Sequence, residues 1–338
     1  MAKAFIGISG SNSGTMRFAF LAQYLLVALL VCAFAASGGQ DNPQQQPPTI
    51  RVSVERVDVG VIVTDWRGKF VEGLRREDFR VFDNGLEQPI TSFIPIADPA
   101  QLLVLVEAGP AALFLEKSHY QAAEKLLNGL APDDRIAIAS YSRGPELLLD
   151  FTSDKPTARL GLENLNFMAG FGELNLSTSL AAVLDWLATL QGKETVVVLS
   201  TGIDTSDPKK WPAILQKLQT SGVRILAVSL SGDLRQPIKH KVLSLQEKED
   251  RAFVKKGFAE ADGWLRELSA ATGGRVYFPR DQKEFDRAYA EIAQLVRHEY
   301  SLAFTPPAHD GQLHKIEVRV KGIMRQVNHR QAYFAPLS

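Results

Sequence analysis

The 338-residue chain is 45% hydrophobic and 22% charged, proportions of a globular protein that exclude a largely disordered one. Lys plus Arg and Asp plus Glu each total 38, so the formal net charge is zero. That balance argues against nucleic acid as the main partner, because phosphate binding normally leaves a basic excess or stripe. The single cysteine, Cys32, excludes a disulfide framework.

The first informative segment is at the amino terminus. Arg17 precedes an apolar run from Phe18 to Ala36, interrupted only by Gln23 and Tyr24. Small residues stand in Ala-x-Ala form at Ala33 and Ala35, and the polar Ser37-Gly-Gly-Gln follows. Positive, apolar, small, polar is the order of a secretory signal peptide. Residues 1–36, or 16–36 if Met16 is the start, are therefore expected to direct export to the periplasm or beyond, with the mature chain beginning near Ala36 or Ser37. The run also has the roughly 20 residues needed to span a bilayer. An uncleaved inner-membrane anchor over residues 18–36 is thus the alternative, and the one membrane contact the sequence suggests. Val31 is too large for a lipoprotein signal before Cys32. Residues 37–49, rich in Gln, Pro and Gly, read as a tether.

Residues 51–63 largely alternate apolar and polar, the pattern of a half-buried strand. Thr64-Asp-Trp-Arg-Gly68 and Asp83-Asn-Gly85 are turn signals, and Leu74–Asp78 has room for one helical turn before Phe79-Arg-Val-Phe. At the far end, Tyr300-Ser-Leu-Ala-Phe, Lys315-Ile-Glu-Val-Arg-Val and Arg330-Gln-Ala-Tyr-Phe again alternate. Neither flank is large enough to bury a core alone. Residues 50–98 and 299–338 are therefore expected to fold on each other as a small β module.

The middle, residues 99–298, alternates the two periods. Apolar runs at 102–106, 136–140, 195–199, 223–230 and 276–278 are separated by amphipathic stretches at 118–130, 179–190, 211–220, 259–271 and 282–298. Strands that are apolar throughout and alternate with helices predict an α/β fold, doubly wound, with a mostly parallel Rossmann-like sheet and helices on both faces. In such sheets ligands bind beyond the carboxyl ends of the strands. The loops after Val106, around 167–178 and after Leu199 are therefore the candidate functional face.

Those loops carry a resemblance. Leu102-Leu-Val-Leu-Val-Glu-Ala-Gly-Pro-Ala111 resembles the first strand and loop of a von Willebrand factor A (vWA) domain. Thr178-Ser-Leu-Ala-Ala-Val-Leu184 is similar to its second loop and helix, and Val196-Val-Val-Leu-Ser-Thr-Gly-Ile-Asp204 to its fourth strand and third loop. The flanks, Val63 to Phe79 and Tyr300 to Pro306, resemble those of bacterial vWA-related proteins common in acidobacteria. Such domains usually hold Mg²⁺ through an Asp-x-Ser-x-Ser loop, a second-loop Thr and a third-loop Asp. Matched position by position, this chain has Glu107 for the first Asp, Gly109 and Ala111 for the two Ser, Thr178 for the Thr, and Thr201 for the last Asp, with Asp204 close behind. Mg²⁺ demands near-octahedral oxygen coordination and gives up water reluctantly. One carboxylate cannot readily replace what is missing, so a degenerate site without metal or other cofactor is expected. Glu107 then needs hydrogen-bonding partners of the protein's own.

No phosphate loop, nucleophile elbow or paired-histidine zinc motif occurs among the residues. His298-Glu299 reads as an exposed helix end, and His309 and His314 as a surface loop. The expectation is a non-enzymatic protein that binds another, unidentified protein through Glu107, Gly109, Ala111, Thr178, Thr201 and Asp204. The alternative places small-molecule binding or a secreted hydrolase-type role in the charged insertion over residues 233–257.

Overall fold

The computed structural model describes residues 56–96, 98–109, 116–165, 172–190, 193–232, 245–322 and 324–336, all within one unit, Val54–Ser338. The expected signal (1–36), the tether (37–49), Ala111 and residues 233–244 lie outside the described residues.

The apolar runs of the middle region form one six-stranded sheet. Its members are β5 (Ala100–Glu107), β6 (Arg135–Tyr141), β7 (Pro145–Thr152), β8 (Lys193–Ser200), β9 (Arg224–Ser229) and β10 (Val276–Tyr277). The order is β10-β9-β8-β5-β6-β7, all neighbours parallel except the β6–β7 pair. From β5 the chain adds β6 and β7 on one side and then returns to add β8, β9 and β10 on the other, which puts the topological switch point at the carboxyl end of β5, where Glu107 stands.

Successive residues of β5 serve opposite layers. Leu102, Val104 and Val106 pack with α1 (Glu116–Gly129), α2 (Lys155–Glu163) and α6 (Gln282–Arg297), through Leu126, Leu162, Phe285 and Tyr289 among others. Leu103 and Leu105 pack with α3 (Leu176–Leu187), α4 (Trp211–Thr220) and α5 (Leu245–Ala271), through Leu180, Leu184, Trp211 and Leu265. A strand that is apolar at every position is stable only when helices cover both faces, each buried side chain contributing roughly 1.5–3 kcal/mol. The expected fold class is the observed one: α/β, with a mixed, mostly parallel sheet.

Two elements were not anticipated. β7 is an antiparallel edge strand whose run Leu147-Leu-Leu lacks clean alternation, and register shifts interrupt its pairing with β6. α2 follows at once, its start marked by Asp154, whose carboxylate accepts from Thr157 N at 3.0 Å, and by Pro156 in the first turn. One expectation is corrected. Residues 245–257, read as part of an irregular insertion, are helical, because α5 begins at Leu245 and runs 27 residues.

The flanking strands are β1 (Val57–Asp65), β2 (Phe79–Asp83), β3 (Leu86–Gln88), β4 (Ile90–Ile94), β11 (Glu299–Phe304), β12 (Leu313–Val320), β13 (Arg325–Asn328) and β14 (Ala332–Phe334). They form two antiparallel sheets, β13-β1-β11-β4 and β14-β12-β2-β3. In both, early strands pair with late ones: Val59 lies opposite Leu302 and Val81 opposite Val318. Val57, Val59, Val61 and Val63 face a core shared with Phe79, Tyr300, Phe304 and Ile316, while Ile62 on the other face joins the six-stranded sheet's core. Asn84 (φ 48°) and Gly85 (φ 85°) close the β2–β3 hairpin, where two positive φ angles match the strand twist.

The histidine reading needs a second correction. His314 is in β12 and buried, its Nδ1 hydrogen-bonded to the buried Asp83 at 2.8 Å, and Tyr333 OH donates to the same carboxylate at 3.0 Å. Glu299, beside His298, is also buried rather than part of an exposed helix end. It pairs with Arg224 at the start of β9. β1 passes this ion pair at Gly60, where a Cβ would collide with Glu299 Oε1. Arg224 Nη1 also donates to Asn328 Oδ1 at 3.0 Å. Nearby, the buried Arg330 donates to Gln219 O (2.8 Å) and Ser221 O (2.5 Å), satisfying carbonyls at the negative end of α4. Burial pushes the Arg330 guanidinium down to about 10.

Candidate functional site

β5 ends on Glu107 because the strand's last side chain turns into the crevice between β6 and β8. Glu107 is fully buried. Its Oε2 accepts from Thr201 N (2.7 Å), Thr201 Oγ1 (2.8 Å), Ser200 Oγ (3.1 Å) and Tyr141 OH (3.2 Å). Ser200 Oγ in turn lies 2.6 Å from Tyr141 OH and accepts from Gly202 N at 2.8 Å. The partners come from the carboxyl ends of the two strands beside β5 and the loop after one of them. Oε1 has no hydrogen-bond partner among the described residues. Burial raises the Glu107 pKa, and the donors on Oε2 act in the opposite direction. Burial, and then the Glu107 charge, push the Tyr141 phenol well above its ordinary range, so it stays a donor.

Gly109 sits against this carboxylate. A Cβ there would stand 2.9 Å from Leu174 Cδ2 and 3.2 Å from Glu107 Oε1. The space a serine side chain would need in the first loop is thus occupied by a buried leucine from the second. Gly202, at φ 77°, turns the third loop under α5, and a Cβ there would lie 2.6 Å from Ala261 O.

The second and third loops are joined to each other. Asp204 accepts from Ser177 N (2.8 Å) in the first turn of α3 and from Ser206 N (2.8 Å), so both its oxygens are engaged. Its charge lies at the positive end of that helix, where it is stabilising. Ser177 Oγ meets Ser206 Oγ at 2.7 Å, and Thr205 N donates to Leu174 O at 2.7 Å. Thr178 is exposed on α3, and its hydroxyl accepts a long bond, 3.4 Å, from Lys210 Nζ.

Of the expected site residues, Glu107, Gly109 and Thr201 therefore form one buried cluster, and Thr178 and Asp204 a shallower one beside it. Ala111 lies outside the described residues. Sequence reasoning missed Tyr141, Ser200, Leu174 and Lys210. Tyr141 and Ser200 close the strands flanking β5, so the rule that sites gather at carboxyl ends of strands pointed to them. Leu174 and Lys210 carry no comparable signal, since only the fold brings them to the face. Among the described residues no three His, Cys, Asp or Glu side chains converge in a way that could hold a metal ion.

The sheet is doubly wound, and the segments that resemble those of a vWA domain lie on its loop face at the switch point. No family model matches the chain, and no curated protein matches it. Solved structures do. A von Willebrand factor type A structure from Catenulispora acidiphila is 9% identical, with 84% of this chain and 75% of that one covered at a TM-score of 0.46. An aerotolerance-related membrane protein from Bacteroides fragilis is 13% identical, with 58% and 98% covered at 0.42. The conserved hypothetical protein BatB from Bacteroides thetaiotaomicron is 12% identical, with 58% and 99% covered at 0.40. These are likenesses of fold.

Proposed function

We propose that the protein is exported and non-catalytic, and that it binds another protein through the loop face at the carboxyl end of the six-stranded sheet without a metal ion. The observation that carries this reading is the internal commitment of the face's oxygens. Glu107 is enclosed and takes four donors on one oxygen. Both Asp204 oxygens hold backbone N–H groups. A divalent ion could take only the unpartnered Glu107 Oε1 without stripping these bonds, and would still have to find most of about six oxygen ligands elsewhere. What the face presents outward is mixed: the Thr178 hydroxyl, the Lys210 ammonium and the exposed Ile203. Adjacent apolar, polar and charged groups on a surface held rigid from beneath suit a protein partner. Export is supported by the sequence from Arg17 to Gln40.

Isothermal titration with Mg²⁺ and Mn²⁺ tests the metal claim: no saturable heat is expected. One-to-one micromolar binding abolished by Glu107→Ala would overturn it. Capture of a partner from envelope extract is expected to persist in chelator and to fall in Thr178→Arg. A chelator-sensitive partner, or one indifferent to that variant, would move recognition off this face or restore the metal.

A further inference from the structure

The β module displays a second surface that the loop-face reading does not use. β1 and β13 run antiparallel with Asp65 opposite Arg325. The turn leaving β1 and the turn entering β13 therefore leave the sheet at the same end. One register step beyond that pair stands Trp66 on one side and Met324 on the other, 62% and 69% exposed. The other tryptophans are placed differently: Trp211 is buried and stacked on Trp264, and Trp186 is stacked on Phe151. Met324 adopts φ 56°, a conformation glycine takes more readily, yet a long apolar side chain is held out there.

The charges around the two side chains are one-sided. Arg67, Lys69 and Lys321 are exposed beside them and make no ion pair among the described residues, while Arg325 is half-buried with its Nη1 enclosed. The one acid of the two turns, Asp65, uses Oδ1 to accept from Arg67 N (2.8 Å) and Lys69 N (2.9 Å), which shapes the first turn. The Arg67 guanidinium lies 4.5 Å from the Trp66 ring centroid, leaving the indole amphipathic. The 3₁₀ turn Arg76–Asp78, whose Asp78 carbonyl accepts from Lys321 N at 2.8 Å, sets Arg76 against Glu77 and Asp78 and adds one acid in excess, fewer than the exposed cations of the two turns.

We propose that this paired tip docks on an anionic lipid surface, with Trp66 and Met324 entering the headgroup layer and the exposed Arg67, Lys69 and Lys321 meeting lipid phosphates. Indole rings favour that layer, and basic side chains beside it are drawn to anionic lipid. A protein partner fits less well. Two apolar side chains on turns offer far less than the roughly 800 Å² per side of a stable protein interface. A bilayer is soft and needs no matching concavity.

The test uses the exported chain with vesicles of phosphatidylglycerol and phosphatidylcholine carrying brominated acyl chains, which quench tryptophan only at short range. Emission should be quenched, and Trp66→Phe should remove most of the quenching, because Trp211 is buried and Trp186 and Trp264 are half-buried and stacked on other rings. This readout holds even if the amino-terminal segment remains and fixes the chain to the vesicle. Lys69→Glu combined with Lys321→Glu should raise the lipid needed for half-maximal quenching about tenfold or more. Purely zwitterionic vesicles should give a comparable loss. Unchanged emission on anionic vesicles, quenching that largely survives Trp66→Phe, or indifference to lipid charge would each overturn the proposal. So would capture of an acidic protein that depends on Trp66 while vesicles leave the emission unchanged.

Discussion

The two ends of the six-stranded sheet both bury charge, but they satisfy it differently. At the carboxyl end, Glu107 is surrounded by neutral donors, namely two backbone-tethered hydroxyls, a phenol and an N–H. At the amino end, Arg224 is surrounded by a carboxylate, a carbonyl and a side-chain amide drawn from Glu299, Gly273 and Asn328. Neutralising the acid of the first set with an amide keeps an oxygen where Oε2 accepts from these donors. Removing the acid from the second set strands a cation inside the protein. The loop face is thus chemically tolerant, whereas the junction of β1, β9 and β11 holds the fold together and tolerates little.

The sharpest way to break this comparison is Glu299→Ala. Glu299 and Arg224 are both almost fully enclosed. Losing one partner of such a pair typically costs about 3–5 kcal/mol, because the remaining ion is uncompensated. Chemical denaturation should register a loss of that order. The double variant Arg224→Met with Glu299→Leu should recover most of it, since apolar replacement of a whole buried pair is often near neutral. A Glu299→Ala protein as stable as the parent would show that water reaches Arg224, and the contrast between the two ends would disappear.

A smaller effect, and one that depends on pH, is expected at Glu194 near the amino end of β8. Burial raises this carboxyl from 4.5 to about 7, with the neighbouring Asp58 and Glu299 charges adding to the rise and Arg56 opposing it. The folded state therefore binds a proton more tightly than the unfolded one. The associated stabilisation is complete below about pH 4.5 and lost as the pH climbs to about 7. Glu194→Gln has no such loss. It should match the parent at pH 4 and exceed it at pH 8 by roughly 1–3 kcal/mol, partial exposure lowering the full linkage value. Parallel urea titrations at the two pH values check it, and a constant difference would remove Glu194 from the buried charge cluster.

Much of this was legible in the residues, for identifiable reasons. The parallel strands were visible because a strand covered on both faces must be apolar at every position, as Leu102 to Val106 are. β7 was hidden because an edge strand needs only one covered face, and its Leu147-Leu-Leu run shows neither alternation nor a long apolar stretch. α5 was read short because Glu247, Glu249, Asp250 and Arg251 look like a solvated loop, although charged residues are ordinary helix formers. At the site, the need of Glu107 for internal partners followed from the cost of burying a carboxylate. That Leu174 fills the space beside Gly109 was not legible, because the contact joins loops 65 residues apart and rests on shape alone.

The smallest expected effect is Glu107→Gln, and it sharpens the comparison from the tolerant side. An amide keeps one oxygen, which can stay where Oε2 now accepts from Thr201, Ser200 and Tyr141. Its NH₂ then takes the place of Oε1, an atom already without a partner among the described residues. What is lost is the charge-assisted part of those hydrogen bonds. What is gained is relief from burying an ion, the effect that raises the Glu107 pKa. The two oppose each other, so the net change should stay within about 1 kcal/mol at neutral pH. Glu107→Ala should cost more, about 2–3 kcal/mol, by leaving the enclosed hydroxyls and the Thr201 N–H without their acceptor. Thermal melts of the two variants together decide it. If Gln is as damaging as Ala, the negative charge itself holds the face, and the loop end is no more tolerant than the junction at the other end of the sheet.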